Sequence, residues 1–561
     1  VGNLPGTPAD WQLWLLAASL PLCFCASRLG NNLWYDEAYT LIHFVSQPWY
    51  RIVTDYSAPN NHIFFSLLLR PVYLLSDQEV PLRLPGFAFA VGTLWCTFQI
   101  GKHFGGVVTG ALATLWLGVT QMFLNYVLEI RGYGLSLFLT SLLGWFALRP
   151  LAEERIKLIL ARIATIGTLA ALIWTIPTNL LFAICIGCFV FFRMGAEGTR
   201  KILFRDGLCW LVGILVGCML YLPVLGQLRT TAASSAGWDL GANLWLLGAF
   251  FRAALADWLP ALGMCTIGFL IGAWPFRMLP GRAASYTRSS SSRAGRGPIL
   301  GLTQGPAILW GWLLAGLVGP FAVAALLGIR PFVRNFVPAL VFLSVAGGIW
   351  TDQAVSAFFD LWARLSSLGR KTRTDSPPTF TADRNTAPRL RAPRGEATSL
   401  VSGRFFLGAV ILIGTVLPRL ATYPDRLDAA RRRGPVQDGY YNYYAARYRP
   451  AEAVRYVAQW TSRGNSEEFG ILFRQEDYYP LVYYLVREGL VDQIGIRSKR
   501  TSLVFYITPM FADPEGTFGQ SGLQEALPIQ WQFIGDFGYY CVYVGRVRQE
   551  GVSSDLPRGF R

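Results

Sequence analysis

The chain has 561 residues, of which 53% are hydrophobic and 15% charged, with a formal net charge of +16. A soluble protein carries about 25% charged residues, so the composition argues against an ordinary soluble enzyme. The basic excess sits in loops between apolar runs, where it orients a membrane protein rather than binding nucleic acid.

Runs of about 20 apolar residues, long enough to cross ~30 Å of hydrocarbon, recur along the chain. Lipid leaves the backbone no external partner, so such runs are expected to be helices. About eleven spans are read, at 11–28, 82–101, 105–127, 132–149, 158–176, 178–193, 207–225, 256–275, 304–328, 333–350 and 404–421. The first lacks the basic flank and small-residue cleavage site of a signal peptide and is read as a retained helix. The apolar stretch His62–Leu75 is short and interrupted by Arg70-Pro71. It is read as an amphipathic helix at the membrane interface, within an outer loop at 29–81. With this choice Lys102, Arg155 and Lys157, Arg193 to Arg205, Arg277 to Arg296 and Arg364 to Arg394 all fall on one side. That side is cytoplasmic by the positive-inside rule.

Ser285–Pro298 and Thr372–Gly395 read as flexible inner connectors. Eight of the nine cysteines lie in or beside apolar runs, and Cys541 stands near the end, so no disulfide framework or zinc site is expected. The membrane domain is assigned to 1–421 and a polar outer domain to 422–561. Within the latter, Tyr440–Tyr444 opens the segment. Helices are expected at Ala451–Trp460 and Tyr478–Glu488, and strands at Gly470–Phe473, Thr501–Ile507, Trp531–Ile534 and Tyr539–Val544. The expected fold is thus an α-helical polytopic membrane protein with a small extracytoplasmic α/β C-terminal domain.

Parity places four polar groups on the outer face: Asp36-Glu37, Asn60-Asn61-His62, Glu129-Ile130-Arg131-Gly132-Tyr133, and Arg330 with Arg334. Each has a bland alternative. Asp36-Glu37 would cap a helix N-terminus, His62 would begin a helix in water, and Glu129–Arg131 would form an interfacial ion pair. Arg330 and Arg334 would snorkel to lipid headgroups. Their co-location favours chemistry.

The ordered set Trp34-Tyr-Asp-Glu-Ala38, Pro59-Asn-Asn-His62, Leu82-Arg-Leu-Pro-Gly86 and Glu129-Ile-Arg-Gly-Tyr133 resembles the core of the GT-C superfamily of polyprenyl-phosphate-sugar-dependent membrane glycosyltransferases. Within it, the sequence more nearly resembles the rhizobial galacturonosyltransferase-like group. Protein O-mannosyltransferases and lipid A aminoarabinose transferases are more distant. The resemblance covers the first 150 residues or so, and beyond them matches in architecture. Two departures stand out: His62-Ile-Phe-Phe65 where many relatives read His-Pro-Pro-Leu, and Arg334-Asn335 where many read Arg-Tyr.

The resemblance implies an inverting sugar transfer from a polyprenyl-phosphate donor to a hydroxyl acceptor, which could be a lipid, a glycan or a protein. It would take place on the outer face of a bacterial inner membrane. Asp36 is expected to act as base, with Glu37 orienting hydroxyls or helping to hold a divalent cation. Asn61, His62, Glu129, Arg131, Tyr133, Arg330 and Arg334 are expected to bind donor phosphate or substrate. A Mg2+ or Mn2+ site on Asp36, Glu37 and His62 stands as an alternative to no cofactor. A lipid or solute transporter and a non-catalytic envelope scaffold are the competing classes. A transporter would show internal repeats and midplane charges, and neither is visible.

Overall fold

The structure is a computed structural model. It describes residues 8–148, 155–196, 200–234, 240–255, parts of 259–266, 305–327, 331–371, 394–421, 449–462, 468–473, 478–495, 503–509, 529–537 and 540–547. Most of these residues are helical, many of the helices are apolar, and a small mixed sheet lies near the C-terminus.

The helices are α1 Pro8–Ala26, α2 Tyr35–Thr40, α3 Trp49–Thr54, α4 Ile63–Leu75, α5 Glu79–Gly105, α6 Val107–Gly118, α7 Gln121–Tyr126, α8 Tyr133–Leu148 and α9 Arg155–Thr175. They continue with α10 Leu180–Ala196, α11 Arg200–Met219, α12 Leu225–Ser234, α13 Leu240–Leu255, α14 Gly305–Leu313, α15 Gly319–Leu326, α16 Ala339–Lys371 and α17 Arg394–Ala421. The last two are α18 Pro450–Ser462 and α19 Tyr478–Arg487.

Among the described residues, five helical stretches are long and apolar enough to cross a membrane: Glu79–Gly105, Ile156–Thr175, Gly207–Thr230, Ala307–Leu326 and Ala339–Ala363. They coincide with five of the expected spans, and the chain is an integral membrane protein. The spans expected at 11–28, 132–149, 178–193 and 404–421 are shorter apolar helices. The one expected at 105–127 breaks after Gly118 into α6 and α7, with Val119 and Thr120 between them. The one expected at 256–275 lies largely outside the described residues, whereas α13 is an apolar helix the periodicity did not single out.

Helix α6 is the centre of the bundle and packs against α1, α5, α16 and α17. Its backbone meets α16 at Gly348, where a Cβ would come within 2.7 Å of Ala113 N and 2.8 Å of Thr109 O. Close approach through small residues is how apolar helices associate when lipid removes the hydrophobic drive. At the same junction Thr109 Oγ1 donates to Asp352 at 2.7 Å, and Arg404 from α17 pairs with that carboxylate.

The C-terminal sheet has the order β1-β2-β4-β3, with β1 Phe469–Phe473, β2 Leu503–Pro509, β3 Ile529–Phe537 and β4 Tyr540–Val547. β1 pairs parallel to β2 (Ile471 opposite Phe505), and the other two pairings are antiparallel. All four expected strands and both expected helices are present, while Tyr440–Tyr444 lies outside the described residues. Helix α19 docks on the membrane-embedded part. Tyr484 Oη accepts the Leu33 N–H at 2.8 Å, Tyr483 Oη donates to Asp77 O at 2.7 Å, and Arg487 pairs with Glu79 at 2.8 Å.

Candidate active site

Asp36 and Glu37 open the six-residue helix α2. Consecutive helical residues diverge by about 100°, so the two carboxylates face different neighbours. Glu37 turns inward and is fully buried. Its Oε2 accepts from Arg83 Nη2 at 2.8 Å and from the Trp34 N–H at 3.2 Å, while Oε1 accepts the Ile130 N–H at 2.9 Å. Its oxygens thus tie together α2, α5 and the 127–132 loop, as a carboxylate buried at this depth must be paired.

Asp36 turns the other way, with a side chain 13% exposed. Its Oδ2 accepts from Arg131 Nη1 at 2.6 Å and from Arg334 Nη1 at 3.1 Å. Its Oδ1 accepts from Asn60 Nδ2 at 3.1 Å, and Asn60 Oδ1 accepts from Arg131 Nη2 at 3.1 Å. Arg131 is buried, with its guanidinium over the Tyr133 ring, 5.0 Å from the centroid. Arg334 comes from the short 3-10 turn Val333–Phe336 ahead of α16, and its side chain is 17% exposed. Asp36 and Arg334 are thus the two charged groups of this cluster within reach of a substrate. The Asn335 that departs from the usual tyrosine does not prevent this contact.

His62 lies buried just before α4 and accepts the Gly132 N–H on Nδ1 at 2.6 Å. That bond assigns the Nε2–H tautomer. Burial, reinforced by the nearby Arg131 and Arg334, holds the imidazole well below its ordinary pKa, so the ring is neutral at pH 7. Gly132 is required here: a Cβ would lie 2.6 Å from Thr175 Cγ2 and 2.9 Å from His62 Nδ1. Helix α4 begins at Ile63 without the prolines of relatives, and Arg70 Nη1 ties it to Val45 O at 2.8 Å.

The structure therefore brings together Asp36, Asn60, His62, Arg131, Tyr133 and Arg334, with Glu129 behind Arg131 at 3.7 Å. Asn61 does not join them. Its Nδ2 donates to Ile52 O and Asp55 O, and its Oδ1 accepts from Ser66, so it braces the turn that presents Asn60. Arg330 lies outside the described residues. Two residues went unassigned from sequence. Asn60 sits in the quoted motif but was passed over for its neighbours. Arg83 is fully buried, pairs with Glu37 and donates to Leu29 O, Asn31 O and Asn32 O. Its signal in the sequence was weak, since an arginine near the end of an apolar helix can equally snorkel to headgroups.

Among the described residues no three His, Cys, Asp or Glu side chains gather in a way that could hold a metal ion. Of the three residues named for a divalent cation, Asp36 accepts from two guanidinium groups, Glu37 is paired with Arg83, and His62 Nδ1 accepts an amide N–H.

No family model and no curated protein matches the chain. Over nearly its whole length the chain is structurally similar to solved proteins of low sequence identity. ArnT from Cupriavidus metallidurans bound to undecaprenyl phosphate is 13% identical, with 96% of this chain and 98% of that one covered and a TM-score of 0.48. The oligosaccharyltransferase AglB from Archaeoglobus fulgidus, in complex with an inhibitory peptide and a dolichol-phosphate, is 13% identical, with 98% and 75% covered and a TM-score of 0.41. Arabinosyltransferase EmbB from Mycobacterium smegmatis is 15% identical, with 75% and 39% covered and a TM-score of 0.38.

Proposed function

We propose that the protein is an inverting membrane glycosyltransferase that moves a sugar from a polyprenyl-phosphate donor to a hydroxyl acceptor. The observation that carries this reading is the Asp36 carboxylate, part-exposed and joined directly to Arg131 and the part-exposed Arg334. A carboxylate and two guanidinium groups in one opening supply both halves of such a transfer. Asp36 takes the proton of the attacking hydroxyl, for which a positioned base contributes ~10²–10⁴ in rate. The C–O bond to the donor phosphate breaks as the new glycosidic bond forms on the opposite face of the anomeric carbon. Arg334 meets the charge that develops on the leaving phosphate, with the buried Arg131 adding its positive field from behind Asp36, an interaction stronger in the transition state than before it. Arg330 is a further candidate for the phosphate. Asn60 orients both Asp36 and Arg131, and the Nε2–H of His62 is available to a phosphate or sugar oxygen. Charge parity of the loops favours placing this opening, and the C-terminal domain docked beside it, on the outer face of the membrane, which the family resemblance implies is a bacterial inner membrane.

The test is mass spectrometry of lipids that co-purify with the protein, followed by a transfer assay with the donor so found. A glycosylated polyprenyl phosphate that the protein consumes, and Asp36→Asn does not, supports the proposal. A lipid or solute moved across liposomes with no glycosidic bond made refutes it.

A further inference from the structure

One buried acid at the site has no part in the chemistry above. Both carboxyl oxygens of Glu129 are buried and meet no hydrogen-bond donor among the described residues. The Arg131 Nη1 beside it stands 3.7 Å away and is committed to Asp36 at 2.6 Å. The charged and titratable groups that face Glu129 are Asp36 and Glu37 from α2, Arg334 from the 3-10 turn, Tyr133 from α8 and Arg131 from its own loop. The two guanidinium groups favour its anion and the two acids oppose it. Burial outweighs both, pushing the Glu129 carboxyl up to about 8. A carboxylate anion without hydrogen bonds is strongly disfavoured away from water, which points the same way.

The charge of the opening then follows. Glu37 and Arg83 cancel, and His62 is neutral. Among the described residues two guanidinium cations remain against the single carboxylate of Asp36, a surplus of one positive charge. A phosphodiester joining a sugar to a lipid carries one negative charge. An ionised Glu129 would cancel the surplus.

We propose that Glu129 sets the charge of the donor site: held as a neutral acid behind Arg131, it leaves one positive charge for a monoanionic lipid phosphodiester, and its ionisation weakens donor binding. This rests on the lipid-phosphate reading of the site. Glu129 is a positioning residue, since it acts through Arg131 rather than on the substrate.

Two measurements on the full-length protein in nanodiscs test this. Infrared difference spectra across about pH 6.5 to 9.5 should show a protonated-carboxyl carbonyl band disappearing near pH 8, absent in Glu129→Gln. Native spectra with no band that the substitution removes overturn the proposal. The second measurement is binding of a polyprenyl methyl phosphodiester, which remains a monoanion throughout this range. Adding one negative charge ~6 Å from the diester in a partly screened site, a coupling of about 10- to 100-fold, should weaken native binding roughly 8- to 25-fold at pH 9.5, while Glu129→Gln stays tight at both ends. Equal weakening in both proteins overturns the role of Glu129. No binding of the diester to either protein at any pH overturns the lipid-phosphate reading itself.

Discussion

The proton on Glu129 has a consequence for stability that needs no substrate. In the folded protein the carboxyl is pushed up to about 8 from 4.5, chiefly by burial. Between those values the folded state holds a proton that the unfolded state has released. The stability that Glu129 contributes is therefore fully present below pH 4.5 and is lost as pH rises to about 8. The slope approaches 1.36 kcal/mol per pH unit, and the full change is about 5 kcal/mol. Glu129→Gln removes the slope. Its amide would also lack partners, at a pH-independent cost of about 1–3 kcal/mol, so the readout is the difference in slope and not the absolute stability. Steric-trap unfolding in bicelles across this range should show the native protein losing several kcal/mol relative to the variant. Parallel stability curves would show that Glu129 is ionised in the fold, and the account of the site's charge would be wrong.

Asp36→Asn should lower transfer by ~10²–10⁴ while the protein stays folded and inserted; transfer at the native rate would eliminate Asp36 as the base. Arg334→Gln should raise the donor KM and leave acceptor saturation in place, so an unchanged donor KM removes its phosphate role. Arg83→Met strands the buried Glu37 carboxylate without its cation and should destabilise the protein by about 3–5 kcal/mol, a claim that an unaltered unfolding midpoint would contradict. In a cysteine-free background, an impermeant maleimide added from outside should label Ser57→Cys and spare Lys157→Cys, both exposed positions; the reverse pattern would invert the topology.

The helical class, five long spans and the order of the C-terminal elements were legible because each depends on local periodicity. Strands β2 and β4 are apolar along their length, and α19 carries its tyrosines at helical spacing. The break between α6 and α7 was not legible. Gln121 and Asn125 look like polar residues tolerated in a long span, yet they pair with each other at 2.7 Å in a separate short helix. At the site, motif order pointed to segments that the fold brings together, but not to which side chain of an adjacent pair faces the opening. Asn60 and Asn61 are chemically identical, and only the turn decides that one meets Asp36 while the other bonds to Ile52 O and Asp55 O. The same holds for Asp36 and Glu37, whose division of labour follows from helical rotation and from the distant Arg83.

That division shows how a very short helix can hold a reactive group steady. Six residues cannot form a stable helix alone, so α2 must be fixed from outside. Glu37 does this on the inner side, joining α2 to α5 through Arg83 and to the 127–132 loop through Ile130 N–H. Helix α19 does it on the outer side: Tyr479 packs edge-on against Tyr35 and Tyr39, with ring centroids 4.9 and 4.7 Å apart, and Tyr484 holds the Leu33 N–H. The 127–132 loop is pinned at both ends, by Glu37 at Ile130 and by His62 at Gly132, and Arg131 projects from between them. The backbones that carry Asp36 and Arg131 to their contact are thus held by groups that take no part in it. Substitution of Glu37, Arg83 or Tyr484 would act on the same carboxylate from a distance, by letting α2 move rather than by removing a reacting atom.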